Sequence, residues 1–183
     1  MHPRLLIATA VALAAGTATA LGASTYPDPV GDVKAGTGPD LVSISISNTH
    51  KAITFRVRFA NAPPLGISEK EKWVDMLLVA VDVPPRGLKR GSGDWQGIDF
   101  ALGVHGWGGK GGLVRPGSEE RVWFPVSQAG RTLTFTVARR HLGNPAWFDF
   151  VATAARETED ESQAGARPDY APARGVFHYR LTG

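Results

Sequence analysis

The sequence predicts an all-β chain folded as an antiparallel β-sandwich, a two-sheet architecture of jelly-roll or immunoglobulin-like kind with about eight or more strands. Three observations carry that prediction. Apolar and polar residues alternate with a period of two in several segments, 22 glycines and 13 prolines punctuate the chain between them, and helical periods are scarce.

Residues 1–20 read as an export signal rather than as part of the fold. Arg4 supplies a positive start, residues 5–15 an apolar stretch, and Ala18-Thr19-Ala20 the small residues of a cleavage site. Cleavage there, or as late as residue 23, leaves residues 21–183 as a single domain. An apolar run of about ten residues is too short for a hydrocarbon core ~30 Å thick, so no transmembrane anchor is expected and the protein is expected to be secreted.

Residues 26–41, YPDPVGDVKAGTGPDL, crowd Asp28, Asp32 and Asp40 into a polar run that ends where alternation begins. Val42, Ile44 and Ile46 then alternate with Ser43, Ser45 and Ser47, and Ile53, Phe55, Val57 and Phe59 with Thr54, Arg56 and Arg58, as half-buried strands do. Residues 48–51 suit the turn between them. Residues 73–83, WVDMLLVAVDV, are apolar on both parities, which fits a central strand covered on both faces. Further strands are predicted at 97–104, 121–127, 132–138, 147–155 and 175–181. Residues 68–73, SEKEKW, suit either one helical turn capped by Ser68 and Glu71 or a polar loop. Long glycine-rich loops are expected at 84–97 and 105–118, and a polar one at 156–174.

Charge and cysteine content exclude several classes. The formal net charge is +3, one unit of which leaves with Arg4. Arg56 and Arg58, the trio Arg86, Lys89 and Arg90, and the pair Arg139 and Arg140 are scattered rather than gathered into a stripe, so nucleic acid is not an expected partner. Cysteine is absent, so no disulfide staples the domain, and no Asn-x-Ser/Thr acceptor occurs.

Asp-Pro-x-Gly-Asp at 28–32, Asp40-Leu41 leading into LVSISIS and ITFRVRF, Val79-Ala80-Val81-Asp82, Gly97-Ile98-Asp99-Phe100, RRHLGNPAWFDF at 139–150 and DYAPARGVFHYRL at 169–181 follow one another in a telling order. In that order they resemble the DOMON-like superfamily of secreted β-sandwiches, which includes the family-nine carbohydrate-binding modules. The resemblance spans residues 27–181. It implies a binding module, with structural calcium in several members and sugar or haem in some.

Aspartates suit a calcium site because that ion takes six to eight hard oxygens at about 2.3–2.6 Å. Asp28 and Asp32 bracket a Pro-x-Gly turn, which lets both carboxylates face one point. The alternative is an Asx-turn with exposed carboxylates. Asp40 is either a further ligand or a cap on the turn. If the first and last strands are neighbours, as the resemblance implies, Asp169 approaches the same point and the ion would tie the two ends of the domain together. Asp82 and Asp99 form a second pair, but Pro84 stands where the resemblance expects another acid, so strand-end aspartates accepting backbone or Arg hydrogen bonds are favoured there.

No catalytic motif survives inspection, and no enzyme is expected. The glycine run 106–112 lacks the Lys-Ser/Thr ending of a phosphate loop, and there is no nucleophile elbow, zinc-binding helix or cysteine nucleophile. A weakly recognisable hydrolase would have to use Asp94 and Asp99. Haem, which the resemblance also allows, would need Met76 with His50, His105, His141 or His178, yet Met76 reads as core filling. Carbohydrate or a cell-envelope polymer is the expected partner if Trp95 and Trp107, in glycine-rich loops, present their faces to sugar rings rather than folding back over the sandwich end. Trp73, Trp123 and Trp147 read as core.

Overall fold

The computed structural model describes residues 20–33, 38–70, 72–84, 89–90, 95–106, 109–158 and 168–183; at 89–90 and 95–96 the description is of backbone alone. Residues 1–19, nearly all of the expected export signal, lie outside it.

The chain forms a twelve-stranded antiparallel sheet that bends into two facing layers and comes close to a barrel. One layer contains β1 (Gly22–Pro27), β2 (Leu41–Asn48), β3 (Ala52–Phe59) and β11 (Thr132–Ala138). The other contains β9 (Lys110–Val114), β8 (Phe100–His105), β5 (Trp73–Asp82) and β12 (Trp147–Thr158), with β13 (Asp169–Ala171) and β14 (Phe177–Arg180) on the far edge of β12 and β4 (Ile67–Ser68) against the start of β5. Strand β10 (Arg121–Ala129) belongs to both: Val126–Ala129 pair with β11 and Arg121–Pro125 with β9. Pro125 sits at the changeover and donates no ladder hydrogen bond. A small separate ladder joins β6 (Lys89–Arg90) and β7 (Trp95–Gln96).

Side-chain parity makes the core. Ile53, Phe55, Val57 and Phe59 of β3 and Leu133, Phe135 and Val137 of β11 point inward and are buried, while Arg56 and Arg58 face solvent. Phe55 stacks on Phe135 at 5.2 Å within its layer and reaches Phe148 of the opposite layer at 6.2 Å. Strand β5 is central, flanked by β8 and β12, as its apolar run implies, but the expected cover on both faces is partial: Ala80 and Asp82 are buried while Met76 and Leu78 on the outer face are only half-buried.

Several segments depart from the sequence reading. A register shift between Leu41 and Ser43 puts Leu41, not Val42, in the core with Ile44 and Ile46, so a bulge replaces simple alternation there. Residues 67–68 form strand β4 and 69–70 a turn, because Ile67 and Ser68 take ladder positions opposite Val74 and Trp73; no helical turn forms among the described residues of that segment. Strand β9 runs through what reads as the 105–118 loop, β13 through the 156–174 loop and the short β6 and β7 through the 84–97 loop, and β1 precedes the predicted set.

The two edges meet without a backbone ladder. The Tyr26 hydroxyl donates to the His178 carbonyl at 2.6 Å, and the Tyr179 hydroxyl donates to Asn48 Oδ1 at 2.8 Å. Asn48 Nδ2 donates to the Thr182 carbonyl at 2.8 Å, and Asn48 is 1% exposed. Replacing Asn48 by Ala removes its bonds to the Tyr179 hydroxyl and to Thr182 and leaves that hydroxyl only the Gly22 carbonyl at 3.3 Å, which costs about 2 kcal/mol. Thermal unfolding of Asn48→Ala should therefore fall by about 4–8 °C, with Tyr179→Phe losing roughly half as much.

Candidate metal centre

The end of β1 and the start of β13 bring three carboxylates together. Asp28 follows Pro27, Asp32 lies four residues on, past a turn in which Gly31 adopts φ 84°, and Asp169 opens β13, whose pairing with Ala154 of β12 fixes its position. Glycine carries that left-handed conformation without the clash a Cβ would bring. One oxygen from each of Asp28, Asp32 and Asp169 lies within 4.8 Å of the other two. This is no wider than the diameter of a calcium shell, ~4.6–5.2 Å for Ca–O bonds of ~2.3–2.6 Å.

Each carboxylate has a different environment. Asp28 is 7% exposed, its amide donates to the Val42 carbonyl at 2.9 Å, and neither of its carboxylate oxygens has a hydrogen-bond partner among the described residues. An Asx-turn at Asp28 would need such a partner, so that alternative does not hold. Asp169 is 3% exposed, and its Oδ2 accepts the Leu41 amide at 2.5 Å. Asp32 is exposed and completes the group from the solvent side. Asp40 stands outside the three-carboxylate group: its Oδ2 accepts the Gly31 amide at 2.9 Å, so it braces the turn that aims Asp32.

The group is electrostatically uncomfortable when it holds only protons. Burial first, and then the negative charges of Asp169, Asp32 and Asp40, push the Asp28 carboxyl up to about 7. Burial likewise raises Asp169 to about 6, opposed by the Leu41 amide and reinforced by Asp32 and Asp40. The donor set is all oxygen, with no sulfur or imidazole, which suits a hard cation.

The other sequence-derived candidates separate from this point. Asp82 is fully buried, Asp99 Oδ2 accepts the Val83 amide at 3.0 Å, and the two do not form a three-ligand group among the described residues, in keeping with strand-end roles. Asp94 and Trp107 lie outside the described residues, as does the side chain of Trp95, whose backbone belongs to the small β6–β7 ladder. Trp123 is 62% exposed and is not core, while Trp73 and Trp147 are half-buried. Met76 is also only half-buried, on the outer face of β5 with His105 as its cross-strand partner, so it does not fill the core.

The sequence reading passed over one buried charge. Asp75, 4% exposed, accepts the Gly66 amide at 2.9 Å and Arg156 at 2.8 and 3.2 Å, and that guanidinium stacks 3.6 Å from the Trp73 ring. An acid inside an otherwise apolar strand was the available signal. The pair ties β12 and the β4 turn to β5 and is structural.

No protein-family model, curated protein or solved structure matches this chain.

The raised carboxyls give a pH dependence of definite sign. Between their ordinary value of 3.8 and about 6–7, folded Asp28 and Asp169 keep protons that the unfolded chain releases, so their stabilisation is complete below 3.8 and is lost as pH rises through the shifted values. In chelator, the protein should melt at higher temperature at about pH 5 than at about pH 8, and Asp28→Asn should flatten that slope. Scanning calorimetry across the pH range checks both.

Proposed function

We propose that the protein is an exported, non-catalytic β-module that binds calcium through Asp28, Asp32 and Asp169, with the ion locking the edges of the sheet together. The observation that carries this reading is Asp28: a carboxylate more than nine-tenths buried, with both oxygens unpartnered among the described residues and two further carboxylates within 4.8 Å. Burying an uncompensated charge of this kind is costly, and a divalent cation removes the cost while neutralising the mutual repulsion. Turn carbonyls and water would complete the shell. The leader at residues 1–20 supports export, into surroundings where calcium is plentiful and where a domain without disulfides needs another fastening. The order of the sequence pieces, through its resemblance to DOMON-like modules, supports binding rather than catalysis.

Calcium at a hundred times its dissociation constant would stabilise the folded state by about 2.7 kcal/mol, a rise in melting temperature of about 5–10 °C. The expected result is that rise on adding calcium to chelated protein, and its loss in Asp28→Asn. The same variant, having shed a buried charge, should melt above the wild type in chelator. Equal melting of wild type with and without calcium, or an undiminished calcium response in Asp28→Asn, would overturn the assignment.

A further inference from the structure

The outer face of the second layer carries a feature unrelated to the carboxylates. Where β5, β8, β9 and β10 lie side by side, Leu78, Gly103, Gly112 and Trp123 occupy one cross-strand row. Gly103 hollows the sheet surface, with nothing within 4 Å of where its Cβ would stand, whereas Gly112 makes room for the Arg121 side chain, whose Cδ lies 2.9 Å from the corresponding point. The result is a groove of about 690 Å³. Met76 and Leu78 border it on one side, and the exposed indole of Trp123 borders it on the other. The Arg121 stem crosses Gly112 and its guanidinium stacks on Trp123, 5.1 Å from the ring. Lys110 and His105 stand at one end.

The lining chemistry is one-sided. Its side chains are hydrocarbon, thioether or indole, together with the nitrogen groups of Arg121, Lys110 and His105; none is a carboxylate, carboxamide or hydroxyl. A neutral sugar, whose hydroxyls need side-chain acceptors as well as donors, finds few partners there. A ligand with an apolar body and an anionic head matches both parts. Because the surface is concave, it receives a single chain rather than the flat face of a bilayer. An exposed apolar patch with a cationic rim is also what a ligand groove presents before it is filled.

We infer that this groove binds a free fatty acid, its acyl chain over Gly103 between Leu78 and the Arg121–Trp123 stack, and its carboxylate held by Lys110 beside His105 at one end. The test is titration of the purified protein with monomeric palmitate, followed by calorimetry and tryptophan fluorescence. One saturable site is expected, weakened about tenfold or more by Lys110→Glu and by masking the head group as methyl palmitate. Trp123→Ala should remove most of the fluorescence response. A Cβ at Gly103 meets nothing within 4 Å, so Gly103→Leu should fill the hollow and abolish binding at an unchanged melting temperature. Absence of saturable palmitate binding by the wild type, or wild-type affinity in Gly103→Leu, would overturn the inference. So would binding of phosphatidylglycerol vesicles or an acidic oligosaccharide in place of palmitate.

Discussion

The seam where β1 and β2 meet β13 and β14 is where this sheet has to be held closed by something other than a ladder. Elsewhere, neighbouring strands exchange backbone hydrogen bonds in register, and the whole order can be followed from β1 to β13 by such pairs. At the seam the bonds come from side chains: Tyr26, Asn48, Tyr179 and Asp169 each cross it once or more. Without cysteine, no covalent tie replaces them. A handful of net hydrogen bonds at about 1 kcal/mol apiece is a thin fastening for a domain whose total stability is only on the order of 5–15 kcal/mol.

The two ends of β2 solve the problem differently. At Asn48 the groups are neutral, buried and mutually satisfied, so that end depends little on solution conditions. At Leu41 the crossing bond comes from Asp169, which stands beside Asp28 and Asp32. Like charges in a desolvated place raise each other's proton affinity, and the elevated carboxyls record that conflict. Protons relieve it at low pH and the proposed divalent cation would relieve it at neutral pH, so this end of the seam is where composition of the medium would reach the fold. The seam thus has one permanent clasp and one conditional clasp, set apart by the eight residues of β2.

Much of this was readable before any coordinates, and the parts that were not have physical causes. The alternation of β3 and β11 survives intact because both strands bury one face and wet the other. Asp28 and Asp32 announced themselves through the turn between them, whereas Asp169 could be joined to them only through strand order, which is non-local. Strand β9 was hidden because glycine is read as a loop residue. At Gly111, however, the glycine answers a packing demand, since a Cβ there would run into the Phe124 ring and the Gly103 carbonyl. The bulge at Leu41–Ser43 was invisible for a related reason: a one-residue register shift leaves no mark on composition. Trp123 was misplaced although its parity was available, since it falls in step with exposed Arg121 and Pro125 and out of step with buried Phe124.

The same parity explains how one sheet can serve two purposes. Inward positions of β5 and β8, such as Leu77, Val79, Leu102 and Val104, are fully committed to the core, where volume changes of even a methylene are felt. Their outward neighbours Met76, Leu78, Ala101 and Gly103 carry no such duty, because among the described residues no second layer covers them. A strand that needed only solubility on that face would place polar side chains there, as β3 does with Thr54, Arg56 and Arg58. In β5 and β8 the outward set is small or apolar instead, next to an indole left in water, and folding stability alone gives no reason for that choice. The acyl ligand proposed for the groove would supply that reason. The contrast between β3 and β5, two strands buried on their inner sides but polar on the outside in one case and apolar in the other, is what the proposed groove would account for.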